Sequence, residues 1–280
     1  MTDYKTDLTI LGASIPAVVA AIQAKRSGLR VLMLNAYGFP GGPVTENLGC
    51  HLNKPELNMG TPVTREIFEL LTSTDRCVLF EDESTILLDP ECVKYQLQEK
   101  LQAEEIELLW HVAPFKVKTE GDKLIEVGSL AKEGILRIKS DYWIDTSTRL
   151  DLFHKLGSEF ESCRDLYYCF FYVHDRPADS QIPDLKQISL SVNRYWIQIH
   201  KKISEQEEPV IIGQNMVNEM HRNLNGRIEL VPAEPYANLT LKLPVKRQLQ
   251  NIRAITTGDR TFPVFGGDFL LAAAFERSAL

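Results

Sequence analysis

Three glycine-bearing turns carry the residue types that could do chemistry. The first is Gly12-Ala13-Ser14-Ile15-Pro16-Ala17, between an apolar β-type run (Leu8 to Leu11) and a helical run with Val18, Val19, Ala21, Ile22 and Ala24 on one face. A tight turn that opens a helix offers free N–H groups and the positive helix end to a phosphate. The fingerprint for this task is G-x-G-x-x-G, with an acidic residue further on for the ribose. Gly12 keeps the first glycine, Ser14 and Ala17 replace the other two, and Asn35 stands at the carboxylate position. The Ser14 hydroxyl can donate to a phosphate oxygen, and the Asn35 amide can hydrogen-bond a diol, less strongly than a carboxylate would. Pro16 falls in the first helical turn, where its missing N–H costs nothing. The second turn is Gly41-Gly42, bracketed by Pro40 and Pro43, with room for close backbone approach. The third is Gly258-Asp259, followed by Gly266-Gly267 and a helical run from Asp268 to Ser278.

The elements that must position these turns follow from the apolar pattern. Strand, Gly12 turn, helix, Ser27-Gly28 stop and a second buried strand (Val31 to Leu34) make a βαβ unit of dinucleotide-binding size. Thr61 to Thr72 has helical spacing, with Val63, Ile67, Leu70 and Leu71 inward. A strand ends at Asp89-Pro90, a helix runs from Cys92 to Ala103, and Ile106 to Trp110 returns as a strand. Phe115 to Lys139 reads as three antiparallel strands with a hairpin turn at Gly121-Asp122. Tyr142 to Asp145 is a further short strand, before a helix from Leu150 to Leu156. Asp165 to His174, Ile188 to His200, Arg227 to Val231 and Ala237 to Leu243 suggest a second, antiparallel sheet rich in aromatics.

Composition bounds the answer. The chain has 280 residues, 44% apolar and 25% charged, which suits one large domain or two interleaved ones. A net charge of −7 disfavours nucleic acid or an anionic membrane as partner. No apolar run is long enough to span a bilayer, and the N-terminus enters its first strand without a signal-type apolar region, so a cytoplasmic location is expected. Five cysteines, Cys50, Cys77, Cys92, Cys163 and Cys169, show no CxxC spacing, so neither a metal site nor a disulfide framework is expected.

The segments from Leu87 to Gly157, with Trp143-Ile144-Asp145-Thr146-Ser147-Thr148-Arg149 in place of a V-I-D-A-T-G-D-like string, resemble FAD-dependent oxidoreductases of the two-dinucleotide-binding-domain, glutathione-reductase-like type. The N-terminal unit and the Gly258-Asp259 tail fit the same family. The resemblance implies an α/β fold: a Rossmann-like parallel sheet binding FAD, a β-meander, and a smaller antiparallel substrate sheet. It divides the chain into residues 1–157 and 251–280 for the FAD domain and 158–250 for the substrate domain. It sets the diphosphate on Gly12, Ser14, Ile15, Pro16 and Ala17, and the adenosine beside Asn35, Ala36, Val112 and Ala113. Thr146 lies on the returning strand, and the isoalloxazine lies between Gly41, Gly42 to Cys50 and Gly258, Asp259 to Gly267.

The expected function is transfer of a hydride from a small-molecule substrate to the flavin. His51 is the acid–base candidate, and Arg194, Tyr195 and His200 are the substrate-side candidates. Only one dinucleotide unit is visible, so any reductant other than substrate is a diffusing nicotinamide or another protein, and association with a partner chain or a second copy is open. The alternative is a flavoenzyme-like subunit that holds FAD without turnover, or has lost it, and acts through a partner. A nicotinamide-only dehydrogenase would leave the Gly258-Asp259 tail unexplained.

Overall fold

β1 (Thr2–Leu11), α1 (Ile15–Arg26) and β2 (Val31–Asn35) form the expected strand–helix–strand unit, with β1 and β2 parallel. In this computed structural model the described residues are 2–54, 61–73, 76–157, 160–161, 165–174, 185–202, 209–223, 226–233, 236–237, 240–241 and 249–254. The Ser14 hydroxyl caps α1 by accepting the Ala17 N–H at 3.3 Å, with Pro16 in the first turn. Ile15 to Ile22 are all buried. A helix apolar on every side must be covered on every side; the sheet covers one flank, and α3 (Pro62–Thr72) and α4 (Pro90–Ala103) pack on it too.

A short helix, α2 (Pro43–Glu46), follows the glycine pair. β3 (His51–Asn53), β4 (Val78–Glu81) and β5 (Thr85–Leu88) make a small antiparallel sheet in the order β3-β5-β4. β6 (Glu107–Trp110) pairs parallel with β2, and β7 (Ala113–Glu120), β8 (Lys123–Ala131) and β9 (Gly134–Asp145) form the meander. The main sheet runs β6-β2-β1-β9-β8-β7. The meander and the parallel sheet are continuous, because β9 does not break at Lys139 as the sequence suggests. It pairs with β8 through its first half and with β1 along its length, from Thr2 opposite Leu136 to Leu11 opposite Asp145. β1 therefore starts six residues before the apolar run, its polar first half held by β9.

α5 (Asp151–Lys155) and β10 (Phe160–Glu161) lead to the second layer. There β11 (Asp165–His174), β12 (Leu185–Ser191), β13 (Arg194–Lys202) and β14 (Gly226–Leu230) order as β12-β13-β11-β14, with α6 (Pro209–Asn223) before β14. β15 (Tyr236–Ala237) adds to β11, β16 (Thr240–Leu241) pairs with β10, and β17 (Ile252–Ala254) returns to the main sheet, parallel to β9 at Trp143 to Asp145. The run Ile188 to His200 is a hairpin, turning at Val192 and Asn193, not one strand. Strand alternation sorts the aromatics into two buried faces. Phe170, Tyr172, Tyr195 and Ile197 pack with Met216 and Met220 of α6, whereas Cys169, Phe171 and Trp196 join the core that contains α1. Trp196 Nε1–H donates to the Leu48 carbonyl at 2.8 Å, tying this sheet to the segment after α2. Gly258, Asp259, Gly267 and the helical run expected from Asp268 to Ser278 lie outside the described residues.

One expectation is corrected. Cys77 and Cys92 are joined as a disulfide, with their Cα atoms 5.2 Å apart, and the bond staples the approach to β4 onto the first turn of α4. Spacing could not reveal it because the β4–β5 hairpin, not a short motif, brings the two together. A loop of 15 residues gives about 3 kcal/mol of stabilisation in the chain-entropy picture. Urea melts with and without dithiothreitol should differ by an amount of that order, and the difference should vanish when both cysteines are serine. Coincident melts for the wild-type protein would show that the bond does not form.

Candidate functional site

The site is built where β2, β1 and β9 end side by side. Gly12 turns the chain out of β1 at φ +91°. Its N–H donates to the Leu34 carbonyl at 2.8 Å, and on the other side the Thr146 N–H donates to the Leu11 carbonyl at 2.7 Å. A Cβ at position 12 would lie 2.5 Å from Thr146 Oγ1 and 2.7 Å from the Ser147 nitrogen. Glycine is required there on two counts, backbone angle and space.

The turn after β9 is organised by Asp145, which is fully buried. Its carboxylate accepts from the Ser147 N–H at 3.0 Å, the Ser147 hydroxyl at 2.6 Å and the Leu152 N–H at 2.8 Å. It caps α5 from the strand and fixes Ser147 to Leu150, the last in a left-handed conformation at φ +49°. Burial outweighs these donors and pushes its pKa up to about 7.

Above the strand ends is a cavity of about 260 Å³, whose walls include Gly12, Asn35, Ala36, Glu46, Val112 and Ala113. Ser147, Thr148 and Arg149 close its other side. A second cavity, of about 460 Å³, shares Tyr37 and Arg149 with the first and continues toward α6 and Tyr168. The crevice sits at the carboxyl ends of parallel strands, where chain order departs to β2 on one side and β9 on the other. That is the topological switch point at which open α/β sheets bind ligands.

Gly12, Asn35, Ala36, Val112 and Ala113 are thus brought together as the sequence suggests. Thr146 lies directly beneath, its hydroxyl donating to the Leu11 carbonyl at 3.1 Å. Ser14, Ile15, Pro16 and Ala17 are buried and stand behind the cavity, not in its wall. The glycine pair seats on the start of this turn: the Gly41 N–H donates to the Ala13 carbonyl at 2.7 Å, and a Cβ on Gly42 would lie 2.7 Å from the Ser14 Cα. Gly42 is required because Ser14 lies where its side chain would go, and Gly41 because the Thr45 side chain fills that space at a φ of +119°.

The acid–base and substrate candidates do not join the crevice. His51 is a core residue, its ring 5.1 Å from that of Trp196. Burial, with the Lys186 charge, takes its pKa down to about 3, so the ring is neutral at neutral pH and is no imidazolium acid. Arg194 pairs with Glu229 at 2.8 Å, Tyr195 is buried against Tyr172, and His200 stacks on Tyr167 at 4.8 Å. Arg194 and His200 are six residues apart on one strand, about 20 Å at the usual rise, so these three side chains form no single site. Reading the sequence by motif missed Glu46, Tyr37 and Arg149. Arg149 was visible only as a departure from the expected Gly-Asp, and Glu46 had no signal beyond following the glycine pair. Among the described residues no group of three or more His, Cys, Asp or Glu is placed to hold a metal ion, and no helix is long and apolar enough to cross a membrane.

The donor set suits an adenosine with phosphates attached. Val112 and Ala113 give an apolar edge, Asn35 and Glu46 give polar atoms for a ribose, and Arg149 gives a cation for an anion, the Ser147 and Thr148 hydroxyls being committed to Asp145 and Glu46. The fold and this crevice define a dinucleotide-binding α/β protein. Residues 7–167 match the family model described as FAD dependent oxidoreductase, more than half the chain, and the protein belongs to that family. No curated protein matches the sequence. Among solved structures, the fold is similar to a geranylgeranyl bacteriochlorophyll reductase-like protein from Thermoplasma acidophilum, with TM-score 0.64, 14% identity, and 90% of this chain and 71% of that one covered. It is similar to OxyS anhydrotetracycline hydroxylase from Streptomyces rimosus at TM-score 0.63 and 12% identity, over 94% of this chain. It is also similar to aklavinone-11 hydroxylase, solved with FAD and aklavinone, at TM-score 0.60 and 13% identity, over 98% of this chain. The chain spans 58% of the first hydroxylase and 61% of the second.

Asp145 sets a pH dependence. Its folded-state pKa is raised, so its contribution to stability is fully present below about pH 4 and is lost as pH rises through about 7, a change of up to about 4 kcal/mol. In urea melts across this range the wild type should lose stability relative to Asp145→Asn, which cannot ionise. A wild-type-minus-variant difference that stays flat would mean the carboxylate keeps an ordinary pKa.

Proposed function

We propose that the crevice above Gly12 holds the adenosine end of FAD, and that the protein is an oxidoreductase acting on a small-molecule substrate. The observation that carries this reading is the convergence of Gly12, Asn35, Ala36, Val112 and Ala113, far apart in sequence, on one cavity at the switch point of the sheet. Membership of the FAD-dependent oxidoreductase family supports it, as does a hydroxylase of the same fold solved with FAD. Within that family we assign the chain to the two-dinucleotide-binding-domain, glutathione-reductase-like type, on the meander inserted between β6 and the return of β9.

When bound, FAD supplies a hydride acceptor at its N5. The chain's own residues do the rest. Val112 and Ala113 take the adenine edge, and Arg149 meets the phosphates. Gly12 keeps the strand end low enough for the ligand to lie across it. The second cavity gives room beyond the adenosine on the far side of Tyr37 and Arg149. One dinucleotide unit stands among the described residues, so the reductant, where it is not the substrate, is a diffusing nicotinamide or another protein. We place residues 1–157 and 251–280 with the cofactor and 158–250 with the substrate. The seating of the glycine pair on Ala13 and Ser14, with the turn from Ser14 to Ala17 buried, favours, as a second reading, a subunit that has lost FAD and works by association.

The visible spectrum separates the two. The purified protein, as isolated or after adding FAD and removing the excess, should show bands at about 375 and 450 nm. Gly12→Ala, which drives a methyl into Thr146 and Ser147, should lose most of them. A colourless wild-type protein that takes up no added FAD would overturn the oxidoreductase reading in favour of the scaffold.

A further inference from the structure

We infer that Glu46 is this chain's ribose carboxylate, moved from the end of β2 to the turn after the glycine pair; the inference rests on the adenosine reading above. The dinucleotide fingerprint sets an acidic side chain at the end of the second strand, where its oxygens accept from the ribose hydroxyls. Position 35 carries an amide instead. That amide does not wait for a ligand: its Nδ2 donates to the Phe39 carbonyl at 2.9 Å and to Glu46 Oε1 at 3.2 Å. Glu46 is the last residue of α2, is 4% exposed, and lines the crevice together with Asn35 and Ala36. Its other oxygen accepts from the Thr148 hydroxyl at 3.1 Å. The carboxylate is therefore suspended from the end of β2 on one side and the turn after β9 on the other, above the end of β1.

The chemistry of the two positions is complementary. A ribose diol has two hydroxyl donors, and an ionised carboxylate accepts at about four lone-pair sites. A charged acceptor strengthens each such bond. Asn35 has no carboxylate to offer, but its N–H groups can aim a neighbour that has one. Asn35 is thus the positioning residue and Glu46 the diol acceptor, and the pair together restores what the eroded fingerprint lost. The carboxylate reaches the ribose from 11 residues further along the chain, which is why no motif reveals it.

The test uses the full-length protein and calorimetric titration with AMP and with 2′,3′-dideoxy-AMP, which lacks both hydroxyls. The wild type should bind AMP at least about tenfold more tightly than the dideoxy compound, the loss of a charge-assisted hydrogen bond being worth that much. Glu46→Gln should bind the two compounds alike while keeping wild-type affinity for dideoxy-AMP, which shows that the crevice is intact. Moving the carboxylate back, in the double variant Asn35→Asp with Glu46→Gln, should restore the preference for AMP. The assignment is overturned if Glu46→Gln keeps the preference, if it binds AMP more tightly than the wild type, or if the double variant gains nothing. A parallel titration with FAD keeps the two claims apart. Binding of AMP with the Glu46 dependence but without binding of FAD sinks the proposed function and spares the carboxylate assignment; failure to bind either sinks both.

Discussion

The end of β1 is the constraint from which the rest follows. Three parallel strands terminate together, and the chain must leave the middle one and begin a helix within three residues, Gly12 to Ser14. Gly12 does so because its φ is positive and because the backbone of Thr146 and Ser147 occupies the space where a side chain would go. With that turn fixed, α1 starts at once, capped by Ser14, and the ends of β2 and β9 stand open on either side as the walls of a crevice. A wider turn would lift the helix off the sheet, and the nearly all-apolar surface of α1 would lose the cover that keeps it folded.

The walls are held by groups that give up exposure in order to aim others. Asp145 is buried and matched to three donors, which tie the strand, the following turn and α5 together. Trp196 reaches across from the second sheet to the Leu48 carbonyl, at a residue held in a left-handed conformation. The aromatic strands are therefore part of the site's support, since they pin the segment that presents Glu46. This is a physical reason for their composition: a sheet buried on both faces needs large side chains on alternate positions in both directions.

Much of this was legible in the residues. The βαβ unit showed in its periodicity, part of the crevice wall in Asn35, Ala36 and Val112-Ala113, and the second sheet in its aromatic runs. What was not legible depends on contacts between distant segments. The disulfide needs the β4–β5 hairpin to bring Cys77 to Cys92. His51 looked available because it follows a glycine-rich loop, yet Trp196, some 145 residues later, closes over it. Arg194, Tyr195 and His200 share a strand, and a strand separates what the sequence sets close together. Glu46 has no signature of its own; its meaning comes from Asn35 and Thr148, which meet it only in the fold.

The central claim is that these strand ends form one adenosine site. A crystal structure of the protein soaked or grown with FAD tests it most directly. The account predicts the adenine against Val112 and Ala113, with the ribose within hydrogen-bond distance of the Asn35–Glu46 pair. An adenosine seated elsewhere, with the crevice above Gly12 left to solvent, would contradict it.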